Sequence, residues 1–158
     1  MKITLPALLL ILLLPLAQSQ VFFSKAESIS TRLHPNQDIM STLTKTLGKY
    51  ELNALSVASA VGSVRYCWLR FANNSVLTKV DGPLEITSLS GTFDLKMQPH
   101  IHIQVADAKG SSIGGHLPSL EERGEGKECP IFTTLEIVLL SHLELIYERR
   151  IDPETTYH

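Results

Sequence analysis

The chain is poor in cysteine, with two, and has no excess of basic charge, with 14 Lys and Arg against 16 Asp and Glu. Past its first 17 residues it also lacks long apolar runs. Each scarcity excludes something. A net charge of −2 with His neutral argues against a phosphate-binding surface, because nucleic-acid affinity rests on Lys and Arg displacing counterions. No later segment approaches the ~20 apolar residues of a spanning helix, so no membrane span is expected in the mature chain. Cys67 and Cys129 allow at most one internal bond. An oxidising compartment lets them pair; otherwise each is a small buried hydrophobe.

The apolar run that is present occupies residues 7–17, after a short basic start at Lys2, and is followed by small residues in Ala17-Gln18-Ser19. This pattern predicts a secretory signal peptide over 1–19, cleaved before Gln20, rather than a membrane anchor. About 139 residues then remain, with 13 basic and 16 acidic side chains, a length that suits one domain with a single core. A secreted chain also gives meaning to Asn73-Asn74-Ser75, a glycosylation sequon with Asn73 as acceptor, in a polar break between two apolar segments.

The pattern along the chain predicts an α+β domain, a largely antiparallel sheet with one main amphipathic helix. A strand is expected over 29–33. Ile39, Met40, Leu43 and Leu47 then recur at helical spacing, with Asp38 at the start and Gly48 past the end. Strands follow over 55–60, 64–71, 76–80, 84–89 and 91–97, the third and fourth separated at Asp81-Gly82-Pro83. Two more are expected over 131–140 and 143–149. Residues 118–128 are rich in Glu, Arg and Lys and read as an exposed, mobile loop, with a lid over a neighbouring site as the lesser reading.

The most informative segment is His100-Ile101-His102 followed by Gly114-Gly115-His116. In a strand, alternate side chains share a face, so His100 and His102 point one way and Ile101, Ile103 and Val105 the other. Between them, residues 107–111 read as a three-residue hairpin loop with Gly110 in the left-handed position. That loop pairs Asp107 with Ser111, and counting back sets His102 opposite His116, Ile101 opposite Leu117 and Val105 opposite Ile113. A slip of one residue would mix the polar and apolar sets. Three neutral imidazoles on one face suit zinc with a fourth position open to water; the alternative is a solvated or subunit-facing polar surface.

Gly82-Pro83-Leu84-Glu85-Ile86-Thr87-Ser88-Leu89-Ser90-Gly91, the His100 and His116 segments, Thr134-Leu135-Glu136, and Tyr147 with Asp152-Pro153-Glu154-Thr155 occur in one order. In that order and spacing the chain, over 28–158, resembles the plant and prokaryote conserved (PPC) domain. The resemblance implies a compact homotrimeric unit and a fold shared with acetolactate decarboxylase, whose zinc is held by three histidines including a His-x-His pair. Ala60 departs from the family pattern at a Ser-Gly-x-Gly turn, and 118–128 looks like an insertion. In plants the domain is joined to AT-hooks and mediates assembly of nuclear proteins; this chain has no AT-hook, and its leader opposes that role.

The site expected from sequence is therefore His100, His102 and His116 as metal ligands, with zinc as cofactor and a small molecule as ligand. Glu136 is the carboxylate candidate for a general base or for orienting a ligand histidine. No Arg or Glu close to the hairpin in sequence is expected to complete a catalytic site. Three functions compete: a secreted trimeric metal- and ligand-binding protein, a metal-dependent lyase or hydrolase, and a protein-interaction or DNA-associated module.

Overall fold

The computed structural model describes residues 21–154; the expected signal peptide over 1–19 and Thr155 lie outside them. The chain runs β1 (Ala26–Leu33), α1 (Ile39–Leu47), β2 (Leu55–Arg70), β3 (Leu77–Phe93), β4 (Pro99–Ala106), β5 (Ser112–Leu117), α2 (Leu120–Arg123) and β6 (Ile131–His142). The six strands form one antiparallel sheet in the order β1-β6-β2-β3-β4-β5. A further pairing of Arg70 with His116 joins β2 to β5. The sheet thus curls until β2, β3, β4 and β5 close on themselves. That closure needs Gly115, where a Cβ would stand 2.7 Å from the Arg70 carbonyl oxygen. The architecture is the α+β, largely antiparallel domain that the patterning implies.

Helix α1 begins where Asp38 accepts a hydrogen bond from the Ser41 N–H at 2.8 Å and ends at Gly48. Its Ile39, Met40, Leu43 and Leu47 are all buried and join a core containing Leu55, Phe93, Ile101 and Leu135. Each such side chain contributes about 1.5–3 kcal/mol by leaving water, so this one face is enough to fix the helix on the sheet. Cys67 and Cys129, both buried, form a disulfide.

Four expectations are corrected. The segments 55–60 and 64–71 are one strand, β2, because Gly62 pairs on both sides, with Ile86 and Leu135. Asp81-Gly82-Pro83 does not end a strand; β3 continues through it. The register slips there, with Val64 opposite Leu84 and Tyr66 opposite Asp81, so Pro83, which has no N–H to give, falls in a bulge. No strand forms over 143–149: β6 ends at His142, level with the first residue of β1, and beyond it scattered backbone hydrogen bonds, from Leu143 to Lys25 and between Tyr147 and Asn53 and Leu95, hold the chain.

The fourth correction concerns residues 118–128, which are not simply a solvated loop. They contain α2, closed by a reciprocal Ser119–Glu122 capping box. Arg123 is buried and sends two hydrogen bonds of 2.8 Å to Asp38. The Cys129 N–H donates to the same carboxylate at 2.8 Å. With Ser41, Asp38 receives four donors, a number that compensates its removal from water. Burial pushes its pKa up, but Arg123 and the Cys129 and Ser41 amides more than reverse this and hold it below the ordinary carboxylate value.

Candidate metal centre

The β4–β5 hairpin has the register expected from its turn. Asp107 and Ser111 are joined by a 3.0 Å backbone hydrogen bond, and Asp107 Oδ1 accepts from the N–H groups of Lys109 and Ser111. Gly110 takes φ of +80°, which only glycine adopts without strain. From this turn the ladder sets Ile101 against Leu117, His102 against His116 and Val105 against Ile113. Ile101, Ile103, Val105 and Leu117 are buried, while Ile113 near the turn remains 39% exposed.

On the other face the three imidazoles gather, their ring centroids 5.3, 5.6 and 5.8 Å apart. One nitrogen from each of His100, His102 and His116 lies within 4.8 Å of the other two, so the cluster could hold a metal ion. His100 and His102 are exposed and His116 is buried. From β3, Ser90 stands opposite His102 and Thr92 opposite His100.

Glu122 supplies what the hairpin lacks. Its carboxylate oxygens lie 3.1 and 3.3 Å from His116 Nε2, and it also accepts from the Ser119 N–H at 2.7 Å. A carboxylate at Nε2 requires the proton there, which leaves the lone pair of the neutral ring on Nδ1. Nδ1 of His116 is the buried side-chain polar atom with no partner among the described residues. An orphaned acceptor beside two further imidazoles is what a divalent metal fits, and a carboxylate behind the ring is how such ligands are held in place. The hydrogen bond from His116 holds the Glu122 pKa down at about 2, against the opposing effect of burial.

The surroundings of the exposed pair favour the neutral form. Burial, then the charge of Arg149 and the neighbouring imidazoles, lower the pKa of His100, with Glu122 opposing. Burial, then His116 and Arg70, lower that of His102. Neutral rings are the form that binds metal.

Two expectations about the site change here. Glu136 is not near the histidines. It sits on β6 between Arg32 of β1 and Val61 of β2, with β2 and β3 separating β6 from β4. The nearby carboxylate is Glu122, six residues after His116, contrary to the expectation that the hairpin has no Glu close in sequence. The Ser119-x-x-Glu122 spacing is a capping-box signature and marks the residue as ordered; composition alone obscured it. Arg70 was equally unmarked, since only sheet closure sets it opposite His116. Asn73, the sequon residue, is exposed in the turn between β2 and β3 and has φ of +55°.

Comparison with known proteins agrees with this architecture. A hypothetical protein from Salmonella enterica superimposes with a TM-score of 0.77 at 30% identity, over 86% of this chain and 92% of that one. A metal-containing protein from Archaeoglobus fulgidus gives 0.70 at 26% identity, over 88% and 96%. A plant- and prokaryote-conserved protein from Pyrococcus horikoshii gives 0.67 at 16% identity, over 88% and 95%. A curated relative is the bifunctional protein GlmU of Synechococcus sp. strain JA-3-3Ab, 39% identical over 126 residues. That match covers 80% of this chain but 19% of the relative, so the chain spans about a fifth of the protein it resembles. The pattern of the Plants and Prokaryotes Conserved (PCC) domain, the family written PPC above, matches residues 22–142, and the chain belongs to that family.

Proposed function

We propose that this is a secreted, homotrimeric PPC-domain protein that binds zinc through His100, His102 and His116 and presents it to a small ligand. The observation that carries the metal assignment is the unpartnered Nδ1 of buried His116, turned to that tautomer by Glu122. A metal-containing relative of the same fold supports it. Three histidines without a fourth protein ligand are the donor set of zinc sites that keep one position for water or substrate. The bound ion would supply Lewis-acid polarisation of an oxygen ligand. Within the chain, Glu122 orients His116, while the exposed His100 and His102 leave the outer side accessible.

Secretion is supported by the leader pattern, the exposed sequon at Asn73 and the Cys67–Cys129 disulfide. Trimer formation follows the family resemblance and would cover apolar surface such as Val61 and Phe132. Zinc analysis of the purified mature protein tests the central claim. About one ion per chain is expected, and none after His100, His102 and His116 are all replaced by Ala; a metal-free wild type sinks the reading. Light scattering decides the trimer.

A metal-dependent lyase or hydrolase, on the acetolactate decarboxylase fold, is the second reading. The accessible outer side of the cluster favours it, since catalytic sites need an open coordination position. Its test is turnover of oxo- and hydroxy-acids by zinc-loaded protein, with no turnover counting against it.

A further inference from the structure

Arg70 ends β2 directly opposite His116, across the single rung that closes the sheet. Directly paired residues on adjacent strands stand on the same face, with Cβ atoms about 4.5–5.5 Å apart. Arg70 is half-buried, and its guanidinium has no hydrogen bond or ion pair among the described residues. Arg70 also lines a groove of about 570 Å³ with Asn73, Asn74, Ser75, Pro118 and Glu122. The groove has room for a small molecule, and Glu122 in its lining also touches His116 of the histidine cluster.

We infer that Arg70 is an anion-binding residue that holds the carboxylate of a small organic acid beside the three-histidine centre. The inference rests on the metal reading and names the class of ligand. A planar guanidinium fork matches a carboxylate with two parallel hydrogen bonds, and lysine could not reproduce that geometry. The charge lining the groove selects among anions. Glu122 shares it, and a carboxylate there repels a phosphate dianion about twice as strongly as a carboxylate monoanion. A second groove of about 390 Å³, also lined by Glu122, contains Arg149, a residue with partners of its own.

Sodium acetate is the probe. Its binding is followed by the Nε–H resonance of Arg70 in isotope-labelled mature protein, both zinc-loaded and stripped by chelator. A saturable shift is expected in both forms, tighter with zinc. Arg70→Gln should weaken acetate by about tenfold or more, the loss of a charge-assisted hydrogen-bonded pair. Zinc content and melting temperature should stay those of the wild type, and Arg70→Lys should fall between. For the variants, acetate is read by line broadening of its own methyl signal. Equal acetate affinity in Arg70→Gln and wild type overturns the inference, as does a wild-type preference for inorganic phosphate. Failure of the wild type to retain zinc overturns the metal reading instead, and the Arg70 dependence in stripped protein then decides this inference by itself.

Discussion

The β4–β5 hairpin and the segment that follows it, residues 118–128, supply the same site by opposite means. The hairpin is local: a turn of fixed type sets the register, and alternation sends histidines to one face and aliphatic side chains to the other. The following segment has no periodicity of its own. It is held by Arg123 on Asp38, 85 residues away in sequence, and by the disulfide from Cys129 to Cys67. The hairpin positions the three histidines; the segment aims one of them, through Glu122. A site can thus be written mostly in one short stretch and still depend on a distant, buried ion pair for its orientation.

The comparison breaks most completely at the hairpin. Replacing His100, His102 and His116 together with Ala should abolish metal binding while circular dichroism stays that of the folded protein, since two of the three rings are exposed. Collapse of the fold instead would show that the cluster is structural.

Next in size is the segment's anchor. Arg123→Ala leaves the Asp38 carboxylate buried without its counter-ion and should cost about 3–5 kcal/mol in urea unfolding. The pH dependence follows in sign. The folded pKa of Asp38 is lowered, so its contribution is complete above the unfolded value, about 4, and is lost as pH falls through the lower folded value. Arg123→Ala should therefore move the acid-unfolding midpoint upward. An unchanged midpoint would mean that the pair does not anchor the segment.

Glu122→Gln separates aiming from anchoring. Metal affinity should fall about 10- to 100-fold, as for other groups that orient a ligand histidine, with urea stability nearly unchanged because Glu122 is about half exposed. A large stability loss with intact affinity would reverse the roles assigned to Glu122 and Arg123. The smallest effect belongs to the turn: Gly110→Ala meets no atom within 4 Å but is strained at φ of +80°, and should cost about 1 kcal/mol with the metal retained.

The parts legible in the sequence share a physical character. Helix α1 announces itself by Asp38, the spacing of Ile39, Met40, Leu43 and Leu47, and Gly48. The hairpin does so by Gly110 and by alternation. The misread parts are those in which a neighbour overrides a local signal. Gly62 and Gly82-Pro83 read as breaks, yet β3 and β6 flank Gly62 and carry β2 through it, and pairing with β2 resumes on either side of the Gly82-Pro83 bulge and carries β3 past it. Residues 143–149 have the composition of a strand but no partner strand to pair with. Glu136 has the right chemistry and lies on the wrong part of the sheet, whereas Glu122 was hidden in a charged stretch that composition assigns to solvent.

By itself the sequence determined the three-histidine face, because side-chain alternation and turn geometry act within about twenty residues and need no knowledge of the rest. Only the tertiary structure decided which carboxylate and which cation stand beside that face. Glu122 arrives there because Arg123 finds a buried acid at the start of α1, and Arg70 because the sheet curls until its second strand meets its fifth. Both depend on contacts between residues far apart in the chain, and no local pattern encodes where such residues will meet.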